Sequence, residues 1–229
     1  MCKERGILFS QPMVAVLLEG RKTQTRRTQG LEEINKESDR WVIHRQSLPD
    51  LPVIFWNETL AIYTGVTPRY PVGTRLYTKE THYKYGYWDS FLDDGCWTFH
   101  ASLPDILYLP PPTVLTGRTG EIGWYKRSSL FMFKADARIW QTVLDVKAQR
   151  VQEITEEDAI AEGITIMAGT HQDIVRDETT GKLKLTGKPE PYTARYHYSA
   201  LWDSINGTGS WERNPWCWAY TLSKPEIRR

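Results

Sequence analysis

Apolar and polar positions follow a helical or a strand period in only part of the chain, and these parts predict its regular elements. The run 13–18 is apolar throughout, with Ser10 in an N-cap position, Pro12 in the first turn and Gly20 shortly after the run. This arrangement predicts a short helix that ends before Gly20. The basic segment that follows therefore leaves a helix end.

Strand patterns appear at four further places. They predict strands over 75–82, directly after a Pro-Val-Gly turn, and over 129–135, 139–151 and 216–223. Within 139–151, Leu144, Val146 and Ala148 alternate with polar residues, as they do in a half-buried strand. Within 216–223, the set that alternates onto one face is Trp216, Trp218, Tyr220 and Leu222.

Two more helices are predicted in the second half of the chain. The first covers 154–163, where Thr155 is a suitable N-cap, Asp158 stands three residues later and Gly163 ends the pattern. The second covers 193–207 and ends at its final glycine.

The remaining long stretches carry no sustained period. The segments 29–69, 84–128 and 165–191 are predicted to be insertions, the last of them a hairpin or a flap, within a single domain that spans 1–229. Helices and strands mixed in this order indicate the α+β class, with enough strands for a small curled sheet or barrel.

The charge balance limits the partners of the protein. Its 29 basic and 28 acidic residues give a formal net charge of +1, so no global field attracts it to duplex DNA or to an acidic membrane. Ten Trp and twelve Tyr supply core mass and also flat surfaces on which bases stack. Because the net charge is close to zero, any recognition of an anion must be local.

The location of the protein is predicted from its cysteines and its apolar segments. Cys2, Cys96 and Cys217 are far apart in the chain and form no Cys-x-x-Cys pair, which is typical of reduced thiols. No apolar window of membrane-spanning length and no signal-peptide pattern is found in the sequence. These features predict a cytoplasmic protein without a membrane partner; they leave its oligomeric state open.

The basic segment GRKTQTRR, 20–27, is the strongest candidate for chemistry. Like charges around Lys22 and partial burial would favour its neutral, proton-accepting form. The Thr25 hydroxyl becomes a nucleophile only when a neighbouring base takes its proton. The two residues meet if the segment turns and diverge if it is a straight strand. By spacing alone, a solvated Lys22 and a Thr25 that bonds the backbone are the favoured interpretation.

Other kinds of site have weaker signals. The five histidines form no metal-binding pair with each other or with cysteine, and no glycine-rich phosphate loop is present. We therefore predict neither a metal nor a cofactor.

Several of these residues together resemble a known family. The stretch GILFSQPMVAVLLEGRKTQTRR, 6–27, resembles the opening signature of ASCH-domain proteins, in which an apolar helix precedes Gly-x-Lys-Thr-x-Thr-x-Arg. The family's later Gly-Asp-x-Leu turn corresponds to 73–76, with threonine in place of the aspartate. The helix ITEEDAIAEG and the ending WDSINGTGSWERNPWCWAYTL are similar to the longer phage- and prophage-associated members. The resemblance implies a PUA-like small β-barrel flanked by short helices.

The resemblance also implies an activity. Small bacterial members of the family are N4-acetylcytidine amidohydrolases, whose catalytic lysine, threonine and glutamate fall on Lys22, Thr25 and Glu162 of this sequence. Thr25 would attack the acyl carbonyl while neutral Lys22 takes its proton. Glu162 would protonate the departing nitrogen or position water, and as a proton donor it would need a raised pKa. Its neighbours Glu156, Glu157 and Asp158 are alternatives for the same role.

The implied substrate is a nucleoside or nucleobase. The side chains that would bind it also fit ordinary structural roles. Arg26 and Arg27 would stabilise an oxyanion, Glu80 would bond the pyrimidine edge, and Phe9 or Tyr77 would stack on the ring. Glu80 fits at least equally well as a surface partner of Lys79 or Arg75 on its strand, and the aromatic residues fit a core. The alternative function is an RNA-binding or nuclease-like module, in which the same cations contact phosphates.

Overall fold

A computed structural model of the chain describes residues 3–46, 51–90, 95–99, 106–176 and 183–228. The elements are, in chain order, β1 (Glu4–Leu8), α1 (Gln11–Leu18), β2 (Gln24–Arg27), α2 (Glu32–Lys36), β3 (Trp41–Arg45), β4 (Val53–Asn57), β5 (Ile62–Val66), β6 (Arg75–Lys79), β7 (His82–Asp89), β8 (Cys96–Phe99), β9 (Gly123–Arg127), β10 (Ile139–Arg150), α3 (Glu156–Ala161), β11 (Thr170–Arg176), β12 (Leu183–Pro191), α4 (Ala194–Asn206), β13 (Trp216–Leu222) and β14 (Glu226–Ile227).

This mixture of strands and short helices confirms the predicted α+β class. The described strands form open sheets, each of which ends on strands that pair on one side only. A barrel requires its first and last strands to pair with each other. No sheet among the described strands closes in this way, so the prediction of a small barrel is wrong for this part of the chain.

The chain forms two compact units, each assembled from separate segments. The first unit comprises 1–20, 73–143 and 223–229, and the second comprises 21–72 and 144–222. Strand β10 begins in the first unit and ends in the second. A single domain over 1–229 stays a prediction.

In the first unit, β6 lies between β1 and the start of β10. It pairs in parallel with β1 and antiparallel with β10, while β7 lies between β8 and β9 in a second sheet. Helix α1 is the helix predicted before Gly20, and it buries Val14, Val16 and Leu17; the strand β1 before it was not predicted. Gly20 has a φ of 73°, which a residue without Cβ adopts at no steric cost and which ends the helix.

Two strand predictions in the first unit need correction. The predicted strand 75–82 stops at Lys79, and His82 already belongs to β7. The predicted strand 129–135 consists of 3-10 turns at Ser129–Phe131 and Lys134–Asp136. The burial in this segment alternates as it does in a strand, since Met132, at 3% exposure, lies between exposed phenylalanines. The segment 84–128, predicted as an insertion, contains most of β7 together with β8 and β9.

In the second unit, β13 lies between β2 and the end of β10 and is buried on both faces. On one face Cys217 packs into an apolar cluster with residues of α3 and α4, including Ala159 and Trp202. Burial raises the pKa of the Cys217 thiol to about 12. On the other face the Tyr220 ring lies edge-on to Tyr70, with centroids 5.5 Å apart.

The predicted insertions of the second unit also contain strands. Segment 29–69 carries α2 and the antiparallel sheet β3-β4-β5, and β11 pairs with β12 as the hairpin predicted within 165–191. The predicted burial of Leu144 is wrong, because this side chain is 55% exposed while Val143 and Ala148 are each 1% exposed. The alternation of β10 therefore changes phase between Val143 and Ala148.

Two general expectations concern the thiols and the membrane. Cys96 and Cys217 are free thiols, and Cys2 lies outside the described residues. None of the helices in the described ranges has both the length and the apolar character needed to cross a bilayer.

One amide side chain satisfies both backbone groups of Trp216 at the start of β13. Asn35 of α2 donates from Nδ2 to the Trp216 carbonyl at 2.9 Å and accepts from the Trp216 N–H at 2.8 Å. We expect Asn35→Ala to lower the free energy of unfolding by about 1–3 kcal/mol, because both backbone groups lose their partner. Urea unfolding measures this change. Asn206→Ala removes one bond at a helix end and should cost less; an equal loss would contradict the role of Asn35.

Candidate functional site

The basic segment places every second side chain on one side. Thr23 continues the pairing of β2, since its carbonyl accepts from the Leu222 N–H at 2.7 Å. Side chains of an extended segment alternate, so Lys22, Gln24 and Arg26 share one side. Lys22 and Arg26 are buried, at 2% and 4% exposure. The interpretation of Lys22 as a solvated surface residue is therefore wrong.

Helix α3 presents two carboxylates to this side of the strand. Thr155 caps the helix as predicted, accepting from the Asp158 N–H at 3.1 Å. Asp158 and Glu162 are four residues apart and therefore lie on the same face of the helix. Glu162 is the C-cap, and Gly163 ends the helix with a φ of 95°.

Lys22 and Glu162 form the centre of the site. The Lys22 Nζ donates to Glu162 Oε2 at 2.8 Å and to the Glu162 carbonyl at 2.7 Å. The side chains of this ion pair are 3% and 4% exposed. The structure thus brings together the lysine and the glutamate of the predicted catalytic set.

Arg26 connects this pair to a second acid. Its Nη1 donates to Glu162 Oε1 at 3.2 Å, so the two oxygens of Glu162 serve different cations. Its Nη2 donates to Asp158 Oδ2 at 2.7 Å, and Gln24 Nε2 donates to Asp158 Oδ1 at 2.7 Å. Because its terminal nitrogens are engaged by carboxylates, Arg26 fixes the orientation of Glu162. Its predicted contact with an oxyanion is not supported by this geometry.

The same segment also completes the end of α3. The Thr23 N–H donates to the Ala161 carbonyl at 2.8 Å, and Lys22 serves the carbonyl of Glu162 as described above. The last carbonyls of a helix have no partner within it, and they attract cations. Lys22 therefore has a structural function in addition to any chemical one.

The charges of the cluster balance. The positive charges of Lys22 and Arg26 face the negative charges of Glu162 and Asp158. Two buried groups beside them, the Tyr198 phenol and the Cys217 thiol, are neutral at pH 7. Burial and the charge of Glu162 raise the pKa of the Tyr198 phenol well above its usual value, while the Cys217 thiol titrates near 12. Two cations thus face two anions in surroundings of low polarity, where charge pairs interact strongly.

The protonation of the central pair agrees with one part of the prediction and contradicts another. Burial lowers the pKa of Lys22, with Arg27 and Arg26 acting in the same direction and Glu162 against it. Burial alone would raise the pKa of Glu162, but the charges of Lys22 and Arg26 outweigh it and the pKa is lowered. The resting Glu162 is therefore a carboxylate, not the proton donor with a raised pKa that was expected.

Thr25 lies on the opposite face of β2. It pairs with Tyr220, whereas Arg26 pairs with Ala219, and cross-strand partners share a face. Thr25 is 2% exposed. A contact between the Lys22 amine and the Thr25 hydroxyl stays a prediction, which requires the amine to reach the other side of the strand. Arg27 shares the face of Thr25, opposite Trp218, and is half-buried.

The other predicted site residues belong to the first unit. Glu80 is 0% exposed and both of its oxygens accept from Arg138, at 2.9 Å each. Glu80 is therefore an ion-pair partner, but the interpretation as a surface partner of Lys79 or Arg75 is wrong, because the carboxylate is buried and its partner is Arg138. Phe9 is buried at 8% exposure, and the Tyr77 ring lies 5.5 Å from that of Trp140, which suits core residues. Their predicted contacts with a base stay predictions.

Sequence analysis does not identify two residues of the cluster, Gln24 and Asp158, as site residues. Gln24 was assigned no role, and Asp158 was interpreted as a capping residue or an alternative to Glu162. The available signal was the match between two periods, because residues two apart on a strand can face residues four apart on a helix.

Comparison with models of known families, with curated proteins and with solved structures found no match to this chain. Within the described part of the chain, no three side chains among His, Cys, Asp and Glu are grouped as a metal ion requires.

The buried pair should behave as a coupled unit in stability measurements. Lys22→Met leaves Glu162 with Arg26 alone, and Glu162→Leu leaves Lys22 without this carboxylate, so each should lower the free energy of unfolding by about 3–5 kcal/mol. The double variant should lose less than the sum, with a coupling of about 1–3 kcal/mol, measured by urea unfolding. Additive losses would contradict the pairing.

The lowered pKa of Glu162 makes stability depend on pH. Since its folded pKa lies below the ordinary value of 4.5, its contribution is complete above pH 4.5 and is lost as the pH falls through the folded pKa. Glu162→Gln should therefore show a shallower loss of unfolding free energy below pH 4.5 than the unchanged protein. The exposed Glu33→Gln variant should keep the original slope, and an unchanged slope in Glu162→Gln would contradict the shift.

Proposed function

We propose that this protein is an amidohydrolase that removes the acyl group from N4-acylated cytosines or cytidines. The observation that carries the proposal is the buried Lys22 amine, with a lowered pKa, hydrogen-bonded to the Glu162 carboxylate at 2.8 Å. A lysine acts as a general base only when it is neutral near the working pH, and burial is the usual way to achieve this. The same residues carry the sequence resemblance to the ASCH amidohydrolases, and a PUA-like relationship of the fold is part of the proposal.

In the proposed reaction, Lys22 and Glu162 handle protons. Lys22 first passes a proton to solvent, which leaves a neutral amine beside the Glu162 carboxylate. The amine takes the proton of the attacking hydroxyl as oxygen bonds to the acyl carbon and the carbonyl electrons move to its oxygen. The resulting ammonium then protonates N4 as the carbon–nitrogen bond breaks. Glu162 stays a carboxylate and stabilises the ammonium when it forms, a role that suits its lowered pKa.

The attacking hydroxyl belongs to Thr25 in this proposal, with a water molecule as the alternative. An attack by Thr25 gives an acyl ester that water hydrolyses in a second step with the same base. The alternative deserves a test because Thr25 lies on the strand face opposite Arg26. With Arg26 engaged by two carboxylates, we assign oxyanion stabilisation to Arg27 or to backbone N–H groups.

The RNA-binding alternative has less support from the same geometry. Phosphate contacts need accessible cations. Lys22 and Arg26 are 2% and 4% exposed and are paired with acids. The free thiols suit a reducing compartment, and we propose that the reaction takes place in the cytoplasm.

The direct test is incubation of the purified protein with N4-acetylcytidine. Conversion to cytidine changes the ultraviolet spectrum, and the released acetate gives an independent measurement. Turnover of this or of a related N4-acylcytosine is expected. Absence of turnover across acetyl, propionyl and benzoyl substrates, with the protein folded by circular dichroism, would remove the proposal.

Variants separate the roles of the residues. Lys22→Ala and Lys22→Arg should each lower kcat at least about a hundredfold, since neither supplies a neutral amine. Glu162→Gln should lower kcat and shift its pH profile, because the ammonium loses its counter-ion.

Thr25 distinguishes the two nucleophiles. Thr25→Ala should abolish turnover while Thr25→Ser keeps a measurable part, because only the hydroxyl attacks. Full activity in Thr25→Ala would show that water attacks directly and would contradict the assignment of Thr25.

A further inference from the structure

A second place in the molecule has the composition of a ligand site. The first unit contains a cavity of about 540 Å³, separate from the residues of the proposed reaction. Its lining includes the three cations Lys134, Arg138 and Arg228 together with the aromatic side chains Tyr108 and Trp140. A volume of this size admits a small organic molecule.

The two arginines of this cavity are held in place before any ligand binds. The Arg138 guanidinium lies 3.9 Å from the centre of the Tyr108 ring and is fixed by both oxygens of the buried Glu80. The Arg228 guanidinium lies 4.3 Å from the centre of the Trp140 ring. The Arg228 N–H donates to the Arg138 carbonyl at 2.7 Å, so the two residues are also joined through the backbone. Stacked guanidinium groups keep their edges available for planar hydrogen bonds.

Donor groups remain available at these cations. The described hydrogen bonds of Arg138 use Nε and Nη2, which leaves Nη1. None of the ion pairs within the described segments of the chain includes Arg228. Lys134 pairs with Glu4 at 2.8 Å, but this pair is largely exposed, with side chains 56% and 32% accessible, and such pairs are weak.

The acids that line the cavity do not cancel this charge. Glu4 is the partner of Lys134, and Asp136 is paired at 2.8 Å with Lys84, which is not among the lining residues. Glu80 balances Arg138. Arg228 forms no ion pair with these acids and has only a longer-range interaction with Glu4, so a ligand that brings negative charge would be favoured beside it.

We propose that this cavity binds the phosphate group of a small molecule through Arg138, Arg228 and Lys134. A carboxylate has two oxygens, which one guanidinium fork can satisfy. Three separate cationic donors match the larger number of oxygens on a phosphate. Tyr108 and Ile106, which line the cavity and are half-buried, would provide apolar wall for the rest of a phosphorylated molecule. The inference does not depend on the proposed amidohydrolase activity.

The chain offers a matched pair of variants. Arg228 and Arg118 are both exposed arginines stacked on a tryptophan of the first unit, with Arg118 4.5 Å from the centre of the Trp88 ring. Only Arg228 lines the cavity. Comparison of Arg228→Gln with Arg118→Gln therefore removes equal charge and equal stacking at two places.

The experiment is a titration of the full chain with inorganic phosphate, followed by calorimetry and by the thermal unfolding temperature, against sodium chloride of equal ionic strength. Saturable binding and a raised unfolding temperature are expected with phosphate alone. Arg228→Gln should weaken binding by about tenfold or more, Lys134→Gln by several-fold, and Arg118→Gln by less than about twofold. Equal effects of phosphate and chloride, or of Arg228→Gln and Arg118→Gln, would overturn the proposal.

Titration with cytidine 5′-monophosphate and with cytidine identifies the source of the phosphate. Tighter binding of the monophosphate than of inorganic phosphate would support a phosphorylated organic ligand, and tighter binding of inorganic phosphate would support the free anion. Binding of cytidine as tight as that of its monophosphate would overturn the proposal, because the phosphate would then contribute nothing.

Discussion

The second unit depends on a negative charge that balances a buried ammonium group. Lys22 lies at 2% exposure beside the end of α3, and an ammonium group at such a position is unstable without a partner. The Glu162 carboxylate supplies the counter-charge, and both this carboxylate and the Glu162 carbonyl accept hydrogen bonds from the ammonium. Arg26 and Asp158 then complete a cluster with two charges of each sign. This cluster holds β2, and through it the edge of the sheet, against α3.

Such a cluster is an inefficient way to join a strand to a helix. Removing two pairs of charges from water costs several kcal/mol per ion, and apolar residues of similar volume commonly hold such a contact as well or better. What apolar residues lack is proton-transfer chemistry. The burial that makes the pair costly for folding is also the cause of the lowered pKa of Lys22. Stability and reactivity are therefore linked through the same two side chains.

The parts of the fold that could be predicted are those with a local cause. The helix that ends before Gly20, the cap at Thr155 and the hairpin in 165–191 follow from residues close to one another in the chain. The phase change in β10, which exposes Leu144, follows from the packing of distant segments. The turns over 129–135 were not predicted because a short continuous apolar run, 130–133, fits a strand and a pair of 3-10 turns equally well.

The site, like the fold, could be predicted from the sequence only in part. The sequence identified Lys22 and Glu162 through a resemblance, and the period of a strand could already have grouped Lys22 with Arg26. The direction of the Glu162 pKa could not be predicted, because it depends on which of two opposing effects is larger. Burial favours the neutral acid, and two neighbouring cations favour the carboxylate. Only the distances between these groups decide the outcome.

The central position of β13 gives the second unit a built-in reporter. Cys217 is 0% exposed within the apolar cluster, and its thiol titrates near 12, so almost no reactive thiolate exists at neutral pH. An alkylating reagent reaches this sulfur only after the strand separates from its neighbours. The rate of its modification therefore measures how often this part of the molecule opens, and stabilisation of the native state by a ligand would slow that rate.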